Sequence, residues 1–273
     1  MNKQTLKNKF EILKTFASML ENSSLVEIHR QNDIILCFCK DNSEPWWNYA
    51  LINRIISNEE LNYIESFFKK KSRYTSIYFS DDEANKPIPD FLKGNGYELA
   101  AKDSWLFWNK ESPADQKDII EIKNNSDFEK WIETFIKSYP KDDPKNPYGE
   151  QIQFAEVLKR AWFNKKTEND KHYLAFKNKQ PVATAMLSNF NKMGYISSVG
   201  SIPSVRGEGY GKKISLHCVK ESIKAGNKHH FLATEKGHYP YEFYQRVGFE
   251  PEFIAFLYSK NDHDRKQGGK QKT

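Results

Sequence analysis

The chain has 273 residues, enough for one large domain or two of ordinary size. Its 42 Lys and Arg against 36 Asp and Glu leave a net charge of +6, of which residues 259–273 alone supply +3. That balance is too mild for the clustered basic face that nucleic-acid binding needs. Aromatics at 14% exclude wholesale disorder, and no apolar run approaches the roughly 20 residues of a membrane-spanning helix. The N-terminal stretch MNKQTLKNKF has no apolar signal core. Three cysteines, Cys37, Cys39 and Cys218, cannot make a disulfide framework. The expectation is a soluble protein of a reducing compartment, the cytoplasm.

In chain order, Leu6, Phe10, Leu13, Ala17 and Leu20 recur at steps of four, three, four and three, which predicts an amphipathic helix over 4–20. A membrane-surface helix would carry more Lys and Arg on its polar side. Residues 25–29 and 34–39 read as strands around Gln31-Asn32-Asp33. A third strand follows at 49–52. Ser57-Asn58-Glu59-Glu60, a cap followed by acids, opens a helix running to about 71. Then come a strand at 75–79, a short helix at 90–94 and a strand pair within 97–108. The polar, proline-containing stretch 110–117 marks a domain boundary. This divides the chain into 1–112, 113–260 and a disordered basic tail, 261–273. The second segment continues with a strand at 118–122, a helix capped by Ser126, a loop at 139–149 with three prolines, and a helix at 151–163. A hairpin (172–176, 182–190), a strand (194–199), a helix (209–225), a strand (230–233), a short helix (241–247) and a last strand (252–258) complete it.

An internal repeat runs through this order. Phe91-Leu92-Lys93-Gly94-Asn95-Gly96-Tyr97-Glu98 parallels Phe243-Tyr244-Gln245-Arg246-Val247-Gly248-Phe249-Glu250, and the strands before each also correspond, at offsets between 146 and 154 residues. Self-similarity at that spacing suggests two copies of one domain.

The stretch that carries chemistry is 199–212, V-G-S-I-P-S-V-R-G-E-G-Y-G-K, between a strand and a long helix. Gly207, Gly209 and Gly211 alternate where the helix begins. Glycine admits positive φ and close approach of a bulky ligand. The first helical N–H groups lack intrahelical acceptors and lie at the positive end of the dipole. Together they predict a phosphate or pyrophosphate site. A P-loop fails here, because Arg206 and Lys213 stand where it needs Gly and Ser or Thr. A dinucleotide fingerprint fails at Lys212 and lacks its acidic partner, His229 and His230 lying in that region. The pattern R-x-x-G-x-G fits Arg206, Gly209 and Gly211, extended by Pro203 and Gly207.

With Pro203-x-x-Arg206-Gly207-x-Gly209-x-Gly211 and, 33 residues beyond Gly211, Tyr244-x-x-x-Gly248-Phe249, the chain resembles the GCN5-related N-acetyltransferases (GNAT). The resemblance covers about 117–260, and the first half only through the repeat. It implies a mixed α/β sheet of the GNAT acyl-CoA N-acyltransferase fold, two GNAT-like domains in tandem, the second catalytic and the first degenerate. It also implies an N-acetyltransferase that uses acetyl-CoA and no metal, with a small-molecule or peptide amine as acceptor. Backbone groups of Val199, Gly200 and Ser201 would meet the pantetheine arm, as an added strand does at a sheet edge. Amides of Arg206, Gly207, Glu208, Gly209, Tyr210, Gly211 and Lys212 would hold the pyrophosphate. Tyr244 would protonate the departing thiolate. Gly237 stands where the family often has Asn. Within this class longer acyl donors remain open, because tandem halves with one degenerate copy are also similar to glycine N-acyltransferase-like proteins.

Glu235 and Glu208 are candidate bases. Lys212 and Lys213 either meet the 3′-phosphate or are solvated. The histidines 229, 230 and 238 complete no metal-ligand spacing. All three cysteines read as core residues. In the first half, Asn53-Arg54-Ile55-Ile56-Ser57-Asn58-Glu59-Glu60 has no glycine and two acids where a pyrophosphate would sit, and Leu92 replaces the tyrosine. That copy would serve packing, substrate selection or dimerisation, so a homodimer is an expected assembly. A non-catalytic CoA-binding sensor on the same fold is the alternative to an enzyme.

Overall fold

The computed structural model describes residues 8–164 and 169–260. The first half of the chain runs α1 (Lys9–Asn22), β1 (Glu27–Gln31), β2 (Ile34–Phe38), β3 (Tyr49–Leu51), α2 (Asn58–Lys70), β4 (Thr75–Ser80), α3 (Ile88–Gly94) and β5 (Glu98–Phe107). The second runs β6 (Ile119–Glu121), α4 (Asn125–Lys137), α5 (Ile152–Asn164), β7 (Asp170–Lys177), β8 (Gln180–Phe190), β9 (Met193–Ser201), α6 (Tyr210–Lys224), β10 (His229–Glu235), α7 (Tyr239–Val247) and β11 (Glu250–Lys260). Among the described residues no helix is long and apolar enough to cross a membrane. The expected helix over 4–20 is described from Lys9 onward, where Phe10, Leu13, Ala17 and Leu20 are buried as its period requires. Residues 4–7 and the tail after 260 lie outside the described residues.

Two expectations are corrected. Residues 97–108 make one ten-residue strand, not a pair, because no Gly, Pro or Asn interrupts Glu98–Phe107. The cap of α4 is Asn124, not Ser126: its side chain accepts the Asp127 N–H at 2.9 Å, and Ser126 already lies in the first turn.

The chain forms two compact units whose bounds cross the 112/113 junction. One comprises 22–25 and 104–252; the other holds the described residues 8–21, 26–103 and 253–260. In the second of these, β1, β2 and β3 pair antiparallel in succession, β3 pairs parallel with β4, and β11 pairs antiparallel with β4. Leu61, Ile64 and Phe68 of α2 pack into its core with Ile77, Phe79 and Tyr258. In the other unit, β6, β7, β8 and β9 pair antiparallel and β9 pairs parallel with β10. Both halves therefore run hairpin, strand, helix, parallel strand, short helix, strand, which is the order the repeat predicts.

The larger unit packs α6 on its sheet through Ile214, Cys218 and Val219, beside Leu106, Leu187, Ile196 and Leu232. The Trp131 indole donates to the carbonyls of Tyr173 (3.0 Å) and Ala185 (3.2 Å) and so pins α4 to β7 and β8. The end of β5 belongs to this unit: Trp105 and Phe107 stack on Phe231 at 5.5 and 5.2 Å, and the Trp108 backbone N–H donates to His230 O at 2.8 Å. A fragment 113–260 lacks those rings, each of which contributes roughly 1.5–3 kcal/mol of burial. It should fail to unfold cooperatively in a circular-dichroism melt that the full chain passes through cooperatively. A sharp melt of the fragment near the full chain's Tm would contradict this.

His172 is buried among the ring edges of Phe128, Trp131 and Trp162, at 5.3, 4.8 and 5.4 Å, and its Nδ1 has no hydrogen-bond partner. Burial pushes it down from 6.5 to about 3. The unfolded chain therefore takes up a proton that the folded chain refuses: stability is full above 6.5 and falls as pH drops toward 3. At pH 4 this group costs about 3 kcal/mol. His230, pushed to about 4, steepens the same slope. Urea unfolding at pH 7 and pH 4 should show His172→Phe recovering about 3 kcal/mol of the acid loss; an unchanged loss would refute the assignment.

Candidate active site

The opening in the larger unit arises where two parallel strands stop pairing. β10 pairs with β9 only over His229, His230 and Phe231 against Met193, Gly194 and Tyr195. Beyond them the strands diverge. On the other edge of β9 the register slips: Met186 faces Ser197, but Thr184 faces Gly200. One extra residue on β9 makes a bulge, with Ser198 at φ 53°. The Thr184 hydroxyl donates to Ser198 O at 3.0 Å and holds the bulge. A cavity of about 400 Å³ fills the gap, walled by 196–201 of β9 and 232–234 of β10. Backbone groups of β9 that a neighbouring strand would satisfy face this space. Glycine at 200 is a packing requirement, since a Cβ there would stand 2.6 Å from Ser138 Cβ at the end of α4.

At the far end of β9 the chain turns through Pro203–Val205 into Gly207 (φ 89°) and Gly209 (φ 87°), and α6 starts at Tyr210. A Cβ at Gly207 or Gly209 would meet nothing within 4 Å, so the sign of φ is what demands glycine, and the space above the turn is open. The amides of Tyr210, Gly211 and Lys212 form the first turn of α6 without intrahelical acceptors. Two amides of the expected cradle have partners already: Arg206 N–H donates to Pro203 O and Glu208 N–H to Val205 O, both at 3.2 Å. Glu208 does not line the cavity, and its carboxylate takes the Lys177 ammonium at 2.7 Å.

The Arg206 side chain turns to the 139–149 loop. Its Nη2 donates to Ser138 O at 2.9 Å, its Nε to Ser201 O at 3.3 Å, and its Nη1 pairs with Asp143. Two tyrosines fasten the same loop: Tyr139 Oη donates to Val199 O at 2.8 Å, and Tyr148 Oη shares a 2.6 Å hydrogen bond with Thr234 Oγ1. The carbonyl of Val199, expected to meet a ligand, thus already accepts from Tyr139. Sequence reasoning missed Tyr139, Tyr148, Tyr195 and Thr234. The proline-rich loop is legible, but its landing place on β9 and β10 has no sequence signal.

Tyr244 lines the cavity from α7. Its ring packs edge-on against Phe243 and Phe249, at 5.0 and 5.9 Å. Burial first, then the nearby phenols of Tyr139, Tyr148 and Tyr195, push its hydroxyl well above 10, so it stays a neutral proton donor. Glu235, one residue past the lining Thr234, is not in the wall and lies 3.6 Å from His238 Nε2. Gly237 has φ 94°, a conformation that asparagine adopts less readily than glycine. Cys37, Cys39 and Cys218 are buried as free thiols, and burial pushes Cys37 up to about 12.

Residues 128–249 match the model of the acetyltransferase (GNAT) family. Residues 128–249 are a GNAT domain. The whole fold is similar to a GCN5-related N-acetyltransferase from Kribbella flavida, with 15% identity, a TM-score of 0.66, and 96% of this chain and 99% of that one covered. It is also similar to a functionally unknown conserved protein from Staphylococcus epidermidis (13% identity, TM-score 0.62, 88% and 96% covered). A third likeness is a tandem GNAT protein from the clavulanic acid biosynthesis pathway (10% identity, TM-score 0.53, 92% and 95% covered). At such identities the likeness shows the GNAT fold alone, and the chain's size fits a tandem arrangement. No curated protein matches the sequence.

In the first half, the turn into α2, which holds the same place in the element order as the glycine turn before α6, is occupied by the protein's own anion. Glu60 accepts the Ser57 N–H at 2.8 Å, closing a capping box, and takes the Arg54 guanidinium at 2.7 and 3.0 Å. Arg54 also holds Asp33. The guanidinium keeps the Glu60 carboxyl down at about 2, so the helix N-terminus is already compensated.

Proposed function

We propose that the protein is an acetyl-CoA-dependent N-acetyltransferase, with its one site in the GNAT domain. The observation that carries this reading is the diverging β9–β10 pair, which leads into a glycine turn with open helix amides and has a neutral phenol in its wall. The cosubstrate fits the residues present. The free amides of the α6 first turn and the open positive-φ glycines suit a pyrophosphate. The uncovered edge of β9 at Gly200 and Ser201 suits the pantetheine amides. Lys212, which lines the cavity, adds charge complementarity.

Acetyl-CoA supplies an activated acyl carbonyl. Backbone amides of β9 near the bulge polarise that carbonyl. The amine nitrogen forms the C–N bond while the C–S bond breaks, and the sulfur receives a proton. Because burial raises its phenol, Tyr244 acts chiefly by hydrogen-bonding the developing thiolate.

Calorimetry with acetyl-CoA on the full chain should give one site, because Glu60 and Arg54 close the other cradle. Thiol release should follow when an amine is added. A stoichiometry of two would overturn the closed-cradle account. Binding without thiol release from any amine would leave a CoA-binding sensor.

A further inference from the structure

Among the described residues, the cavity wall is lined by phenols, hydroxyls and cations, with no carboxylate or imidazole. From the 139–149 loop come Tyr139, Tyr148 and Lys145; from β9, Tyr195; from β10, Thr234. The turn and the start of α6 contribute Arg206, Tyr210 and Lys212, while α7 contributes Tyr239, Tyr244 and Arg246. Among the described residues no Asp, Glu or His is in this wall.

Four acids nearby in sequence are turned to basic side chains. Asp143 pairs with Arg206, Glu208 with Lys177 at 2.7 Å, Glu242 with Arg246 at 3.5 Å, and Glu235 faces His238 at 3.6 Å. The ionisable groups that act on the Tyr244 phenol are three further phenols and the buried Cys218 thiol, and none is a carboxylate. The Tyr139 and Tyr244 phenols are held protonated by burial and cannot serve as bases.

We propose that the acceptor is a weakly basic primary amine of the α-amino type, next to a carbonyl, which enters as its free base, and that polycationic amines are not substrates. This rests on the acetyltransferase reading. At pH 7 roughly one α-amino group in ten is unprotonated, against about one lysine-type ammonium in 2,500. Without a side-chain base to close that gap, the α-amine holds an advantage of about 10²-fold. Lys145 and Lys212 in the wall also disfavour a second positive charge on the acceptor.

The balance closes without an enzyme base. The free amine forms the C–N bond, the C–S bond breaks, and the nitrogen loses one proton as sulfur gains one. The products are the amide and CoA thiol.

The test is thiol release from acetyl-CoA between pH 6 and 9.5, with glycinamide, a dipeptide, Nα-acetyl-lysine amide, spermidine and an aminoglycoside. Glycinamide or the dipeptide should exceed the lysine side chain by about 10²-fold in kcat/KM at pH 7. Their pH profiles should climb tenfold per unit and bend at each acceptor's own pKa. The glycinamide and dipeptide arms separate a small amine from a peptide end. Preferred use of spermidine or the aminoglycoside would overturn the proposal. So would a bend fixed at one pH for acceptors of different basicity, since that marks a base on the enzyme. Failure of the underlying reading looks different: no acetyl-CoA-dependent rise in Tm, or no thiol release with any amine.

Discussion

Tyr244→Phe should lower kcat by roughly 10²–10⁴-fold with little change in acetyl-CoA affinity. The hydroxyl lies in the wall of the cavity and is kept neutral by burial. It therefore offers a proton donor where thiolate charge develops, and such an interaction strengthens only in the transition state. The substitution keeps the ring and its contacts with Phe243 and Phe249, so the loss of packing is small. Three measurements decide it: kcat with the best amine, the acetyl-CoA dissociation constant, and Tm. Turnover within twofold of the parent would assign the proton to solvent or to another group. A Tm collapse would make the hydroxyl a structural partner instead.

Gly209→Asp should abolish the thermal stabilisation by acetyl-CoA. At a hundredfold excess over Kd the parent gains about 2.7 kcal/mol, or roughly 5–10 °C for a chain of this size. Gly209 has φ 87°, with open space where a side chain would project. Aspartate tolerates that conformation better than most residues, so the variant should fold at a cost of about 1–3 kcal/mol. It places a carboxylate at the helix N-terminus that the pyrophosphate would occupy, and so repels the ligand. Gly209→Ala carries the backbone strain without the charge and should keep part of the shift. An undiminished shift in Gly209→Asp would remove the pyrophosphate from this turn.

The sequence by itself determined the parts of this protein that are local. The cradle is contiguous: glycines at positive φ and the first amides of α6 lie within 207–212, so the spacing alone foretells an anion site. The capping box of Ser57 and Glu60 is equally local, which is why the closed cradle of the first half was legible as two acids and no glycine. The repeat of strand and helix order was legible because each element carries its own period.

Tertiary structure decided what depends on residues far apart in the chain. The cavity exists because β9 bulges at Ser198 and β10 stops pairing after Phe231, and neither event has a local signal. Arg206, read as part of the anion site, reaches across 68 residues to Ser138 O and ties down the loop instead. Tyr139 and Tyr148 come to Val199 and Thr234 over 60 and 86 residues. The placing of β5's end and of β11 in units that cross the 112/113 junction likewise follows from strand pairing, not from the polar linker. Long-range pairing is selected by the summed burial of whole elements, and no short stretch of sequence carries that sum. The acid-free wall has the same origin: Asp143, Glu208 and Glu242, all near it in the chain, each meet a cation in the fold.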